Sequence, residues 1–120
     1  MLLGCLSCAQ PTDTGQTGIY ERLDTEAFLS RLAAEPDAQL LDVRTPDEFD
    51  RGFLSRATLV NIQDADFLTT VQRTFDPERP LYVYCQAGGR SRRAAEQLHA
   101  AGFREIYELR DGYGSLPDSD

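Results

Sequence analysis

Lysine and tryptophan are missing from this chain, histidine and methionine each occur once, and cysteine occurs three times. All twelve basic residues are therefore arginine, a bias to which no function is attached. Three cysteines do not make a disulfide framework, which needs an even and usually larger set. With His99 alone inside a helical pattern, Cys5 and Cys8 have no second ligand pair, so no metal site and no cofactor is expected. The Cys5-x-x-Cys8 pair also has no strand before it, whereas a thioredoxin-like motif needs a βαβ setting. Long apolar runs are absent too. Nothing approaches the roughly eighteen consecutive apolar residues of a membrane span, so no transmembrane segment is expected. Positive charge is in short supply: the formal net charge is −8. That balance argues against nucleic acid or an anionic membrane surface as partner, since both are polyanions.

What the chain does have is enough length, 120 residues, and enough apolar content, 41%, for one globular domain. Its first ten residues, MLLGCLSCAQ, admit two readings. Leu2-Leu3-Gly4-Cys5 matches the small-residue-then-Cys pattern at which bacterial lipoprotein signals are cut, and Cys5 would then carry the lipid. The match lacks a basic start and an apolar stretch of about 7–15 residues. The other reading is a polar, disordered arm over residues 1–18. A periplasmic, membrane-anchored lipoprotein goes with a truncated leader, and a cytoplasmic protein goes with the arm.

From Ile19 onward the pattern alternates. Ile19 to Leu23 reads as a short strand or the lead-in to a helix. Asp24 suits an N-cap for a helix with Phe28, Leu29, Leu32 and Ala33 on one face, ended by Glu35-Pro36-Asp37. Residues 39–43, QLLDV, read as a buried strand. Thr45-Pro46-Asp47-Glu48 is a capping box with proline at the first helical position. ATLVNI (57–62) reads as a strand, Asp66 as the cap of a helix carrying Phe67, Val71 and Phe75, and LYVY (81–84) as a further strand. A helix from Ser91 to Ala101, with Ala94, Ala95, Leu98 and Ala101 inward, stops at Gly102. EIYEL (105–109) is the last strand, and a polar tail follows. This order predicts an α/β domain over residues 19–116, with a mainly parallel sheet covered on both faces and a tail at 117–120.

Ligands of open parallel sheets bind beyond the carboxyl ends of the strands. Cys85 stands there, directly after Tyr84, and the loop Gln86-Ala87-Gly88-Gly89-Arg90 leads to a helix starting near Ser91. Glycines permit a backbone nest of inward N–H groups, and the helix N-terminus adds free N–H groups and a positive dipole end. Arg90, Arg92 and Arg93 add positive charge. Each of these elements favours a negative charge at or on the Cys85 sulfur. The bland alternative is a buried cysteine before an ordinary Gly-Gly turn.

Several ordered motifs together resemble the single-domain rhodanese family of thiosulfate sulfurtransferase-like proteins. They are Asp42-Val43-Arg44 with Glu48-Phe49, then Gly52 and Ala57 before Asn61-Ile62, then C-x-x-G-x-R-S at 85–91. The resemblance implies a five-stranded, mostly parallel sheet between helices, with no cofactor. It also implies that Cys85 takes the outer sulfur of a small anionic donor such as thiosulfate. The persulfide is then passed to cyanide, a thiol or a protein acceptor, by a chain expected to be a monomer. Gln86, Ala87, Gly88, Gly89, Arg90 and Ser91 would hold the persulfide, with Arg90 on the donor. Asp42, Arg44 and Glu48 would brace the loop, unless they are only a structural ion pair and a capping partner.

Two departures stand out, neither of them within the loop. The family's Leu-x-Gly-Gly-x-x-x-Trp is here Leu109-Arg110-Asp111-Gly112-Tyr113-Gly114-Ser115-Leu116. The segment from Gly52 to Ala57 lacks the usual histidine-isoleucine and the glycine before alanine. Two rival readings remain. A cysteine phosphatase or arsenate reductase would place five residues between Cys and Arg, where this chain has four and offers no acid in the loop. A non-enzymatic module would carry a persulfide to a partner protein.

Overall fold

The computed structural model describes residues 18–117. The N-terminal segment with Cys5 and Cys8 lies outside the described residues. Five strands carry the domain: β1 (Ile19–Leu23), β2 (Gln39–Asp42), β3 (Thr58–Leu59), β4 (Leu81–Tyr84) and β5 (Glu105–Leu109). They lie in the order β1-β5-β4-β2-β3, and every neighbouring pair is parallel. Between them run α1 (Thr25–Ala34), α2 (Pro46–Asp50), α3 (Phe67–Thr74) and α4 (Gly89–Ala100), and Tyr113–Ser115 forms a closing 3₁₀ turn.

Strand alternation divides the interior into two cores, because successive side chains leave a strand on opposite faces. On one face Leu41, Leu81, Val83, Cys85 and Ile106 pack against Phe67 and Val71 of α3 and Ala94, Ala95 and Leu98 of α4. On the other, Leu40, Tyr82, Tyr84, Tyr107 and Leu109 pack against Phe28 and Leu32 of α1. β4 is central and buried at all four positions, so a side chain at its end is presented from a strand held on both sides by neighbours. Leu98 shows how much packing supports α4: it is fully buried, and truncation to alanine is expected to cost about 2–5 kcal/mol.

The local signals act as their chemistry requires. Asp24 caps α1 by accepting from the Ala27 N–H at 2.8 Å. Thr45 and Glu48 form the reciprocal capping box at the start of α2.

Other expectations need correcting. β3 has two residues, not six, although Val60 and Ile62 still donate backbone bonds to Asp42 of β2 and to Val43 just after it. This edge segment follows β2 without keeping a regular ladder. Asp66 makes no side-chain cap bond. α4 begins two residues before Ser91, because Gly88 takes a left-handed conformation (φ 102°) and turns the chain into the helix there. Ala33 and Ala101 are exposed, each lying at the last turn or just past the end of its helix.

Candidate active site

β4 ends at Tyr84, and the next residue, Cys85, is 1% exposed. The Gly88 N–H donates to its Sγ at 3.1 Å, and the Ser91 hydroxyl lies 3.4 Å from the sulfur. Both contacts depend on how the loop turns. A Cβ on Gly88 would stand 2.1 Å from the Arg110 carbonyl oxygen, and the positive φ already excludes most side chains. A Cβ on Gly89 would meet nothing within 4 Å, so of the two adjacent glycines only the first is required by space.

Two ion pairs reach the loop from the side of β2. Arg44, 1% exposed, is held by Asp42 through Nε (3.0 Å) and Nη2 (2.8 Å). It then donates to the Gly52 carbonyl at 2.7 Å and to Oε1 of Gln86 at 2.9 Å, and its guanidinium lies over the Tyr113 ring at 4.3 Å. Glu48 accepts two bonds from Arg90, at 2.8 and 2.9 Å, while also taking the Thr45 N–H of the capping box at 3.0 Å. These donors, Arg90 first, hold the Glu48 carboxyl down at about 2. Asp42, Arg44 and Glu48 are thus structural ion-pair members whose partners include loop residues Gln86 and Arg90.

The segment after β5 does touch the loop, although its departures from the family pattern fall outside it in sequence. Tyr113 donates its N–H to the Cys85 carbonyl at 2.7 Å, and Gly114 donates to the Gln86 carbonyl at 3.1 Å. A backbone ladder therefore clamps the loop from below. The replaced tryptophan position plays no part in it.

A third cluster has no counterpart in the sequence reading. Glu108 of β5, fully buried, accepts from Tyr20 (2.8 Å), from Arg22 Nε (2.7 Å) and Nη2 (3.1 Å), and from Ser91 (2.5 Å). Arg22 also donates to the Gly88 carbonyl at 3.1 Å. The signal was present: an acid between apolar neighbours in EIYEL, at a position whose alternation aims it into a core. Its partner on β1 is 86 residues away and directly opposite in the parallel register, which no local pattern discloses.

These pairs revise the charge count made along the chain. Arg22, Arg44 and Arg90 each meet a carboxylate, and Arg92 lies against Glu96 on the exposed face of α4. Beside the loop is a cleft of about 320 Å³ lined by Arg44, Glu48, Arg51, Gln86 and Tyr113. Cys85, 1% exposed, is not among the lining residues. His99 lies apart, its Nε2 3.2 Å from the Gly18 carbonyl oxygen. Among the described residues, no three His, Cys, Asp or Glu side chains are grouped to hold a metal ion. No helix there is long and apolar enough to cross a membrane.

The rhodanese-like domain model matches residues 25–116. Thiosulfate sulfurtransferase 18 of Arabidopsis thaliana is 37% identical over 111 residues, covering 83% of this chain and 82% of that protein. An uncharacterized protein of Bacillus subtilis, YqhL, is 40% identical over 98 residues, covering 82% and 73%. A rhodanese-like domain protein from Staphylococcus aureus superposes with a TM-score of 0.71 over 82% of this chain and 93% of that one. At 24% identity it speaks for the fold. With the β4–Cys85–glycine–α4 unit standing where its motif predicts, and the family match running from α1 through the closing 3₁₀ turn, this chain belongs to the rhodanese-like domain family.

Proposed function

We propose that the domain is a sulfurtransferase whose reacting atom is the Cys85 sulfur. Sγ attacks the outer sulfur of an anionic donor such as thiosulfate. The donor's sulfur–sulfur bond breaks, sulfite leaves with the bonding electrons, and a persulfide with negative charge on its outer sulfur remains on Cys85. A thiophilic acceptor, cyanide or a thiol, then takes that sulfur, and the electron pair of the breaking bond returns to Sγ. Two such half-reactions give ping-pong kinetics.

The observation that carries this reading is the Gly88 N–H aimed at Sγ from 3.1 Å, in a loop that opens a 12-residue helix. The unpaired N–H groups of that first turn, from Gly89 to Ser91, favour an anion beside them. In this reading Gln86 to Ser91 cradle the persulfide, and Asp42, Arg44 and Glu48 fix the loop through Gln86 and Arg90. Because Arg44 and Arg90 are committed to carboxylates, the exposed Arg51 at the rim of the cleft is the guanidinium that meets an incoming donor. Intact mass after incubation with thiosulfate tests the proposal. One added sulfur atom is expected on the wild type and none on Cys85→Ser, with thiocyanate released on adding cyanide.

The burial of Cys85 favours a second reading, a carrier that yields its sulfur only to a partner protein. Such a carrier would gain the sulfur atom from thiosulfate and fail to turn over with cyanide.

A further inference from the structure

Among the described residues, Asp42 and Glu108 are the two acids with no exposed surface. Asp42 is occupied by Arg44. Glu108 collects four donors, and one of them, Ser91, belongs to the loop of the reacting thiol. A serine hydroxyl has a single proton and two lone pairs. At 2.5 Å from Oε2 of Glu108 that O–H donates to the carboxylate, since charge-assisted O–H···O bonds are the short ones. The Gly88 carbonyl oxygen, 3.4 Å from Oγ, is a poorer competitor for it. Oγ then has only lone pairs to offer Sγ at 3.4 Å, and a lone pair can meet an S–H but not a thiolate.

We propose that Glu108 is a positioning residue for Cys85: by accepting the Ser91 O–H it turns a lone pair of Ser91 to the sulfur, where it accepts from the Cys85 S–H. The inference rests on the reading of Cys85 as the reacting thiol. The charges around the loop are balanced in pairs. Arg22 of β1 meets Glu108, and Arg90 of α4 meets Glu48 of α2. Arg44 meets Asp42 at the end of β2. Tyr20 stays a neutral donor, its phenol pushed up by burial and by Glu108. Removing the Glu108 charge breaks one of these pairs. Ser91 becomes free to donate to sulfur, and Arg22, bonded to the Gly88 carbonyl, loses its counter-ion; both changes favour the ionised sulfur.

The test is iodoacetamide alkylation of Cys85, resolved by peptide mass on the full chain, across pH about 5 to about 9. No sulfur donor is present, so the result stands apart from whether a persulfide forms. Glu108→Gln is expected to move the profile to lower pH, raising alkylation at neutral pH about tenfold, the equivalent of about one pH unit. In a Ser91→Ala background the same change should have less than half that effect. Ser91→Ala alone, which deletes the acceptor of the S–H and is a small change for the fold, should move the profile the same way by less. An unmoved profile, or one moved to higher pH as expected if Glu108 were a base for the thiol, overturns the proposal. Strict additivity of the two substitutions overturns the role given to Ser91. Missing persulfide in the wild type, with the alkylation shifts intact, would count against the sulfurtransferase reading alone.

Discussion

A Cβ at Gly112 would stand 2.2 Å from the carbonyl oxygen of Gln86. The turn after β5 therefore lies against the back of the Cys85 loop at a distance only a glycine allows, and the two backbone bonds from Tyr113 and Gly114 depend on that approach. Gly112 is also in the positive-φ region, at 82°. Gly112→Ala is expected to displace the loop and reduce sulfur transfer more than tenfold, with a loss of stability on the order of 1–3 kcal/mol. Steady-state assays and thermal melts on the same preparation check both.

The adjacent glycines of the loop should behave oppositely. Gly88→Ala meets the Arg110 carbonyl at 2.1 Å and is expected to abolish activity. Gly89→Ala meets open space at the first position of α4, where alanine is the better helix former by up to about 1 kcal/mol. It should retain activity within about threefold and melt no lower than the wild type.

Glu48 links loop geometry to acid stability. Its carboxyl is held at about 2 by Arg90 and Thr45, below the ordinary value of about 4.3. A carboxyl lowered in the folded state contributes above its unfolded value and loses that contribution as pH falls toward its folded value. Glu48→Gln should therefore melt below the wild type at pH about 6, and the gap should close between about pH 5 and about pH 2. Melting temperatures of both proteins across that range decide it. A constant gap would mean that the Arg90 pair contributes nothing.

Arg51 makes a separate prediction for donor capture. Arg51→Ala should raise KM for thiosulfate by about 5–10-fold and flatten its dependence on ionic strength, because the charge acts at the rim of the cleft. kcat should change by less than about twofold, since the residue does not touch Cys85.

The sequence made the central strand, the loop and α4 legible because their signals are local: an apolar run, a thiol, a glycine that needs positive φ, an alanine-rich face. The Thr45–Glu48 capping box was legible for the same reason, although its tie to Arg90 was not. What stayed hidden joins distant segments. Glu108 meets Arg22 only because β5 lies beside β1 in the sheet, and Tyr113 reaches Cys85 only because β5 runs next to β4. Counting Arg90, Arg92 and Arg93 near Cys85 overstated the positive charge, because Arg90 pairs with Glu48 of α2 and Arg92 lies against Glu96 on the exposed face of α4. The edge segment after Ala57 carried a strand's composition, but it runs beside one neighbour only and keeps a two-residue ladder.

The central claim is that Cys85 carries the sulfur. Intact-mass measurement after thiosulfate treatment, followed by cyanide, addresses it directly. The account predicts one sulfur atom gained per chain, located to Cys85 by peptide mapping, lost again as thiocyanate, and absent in Cys85→Ser. A wild type that gains no sulfur, or a Cys85→Ser variant that gains as much, would contradict it.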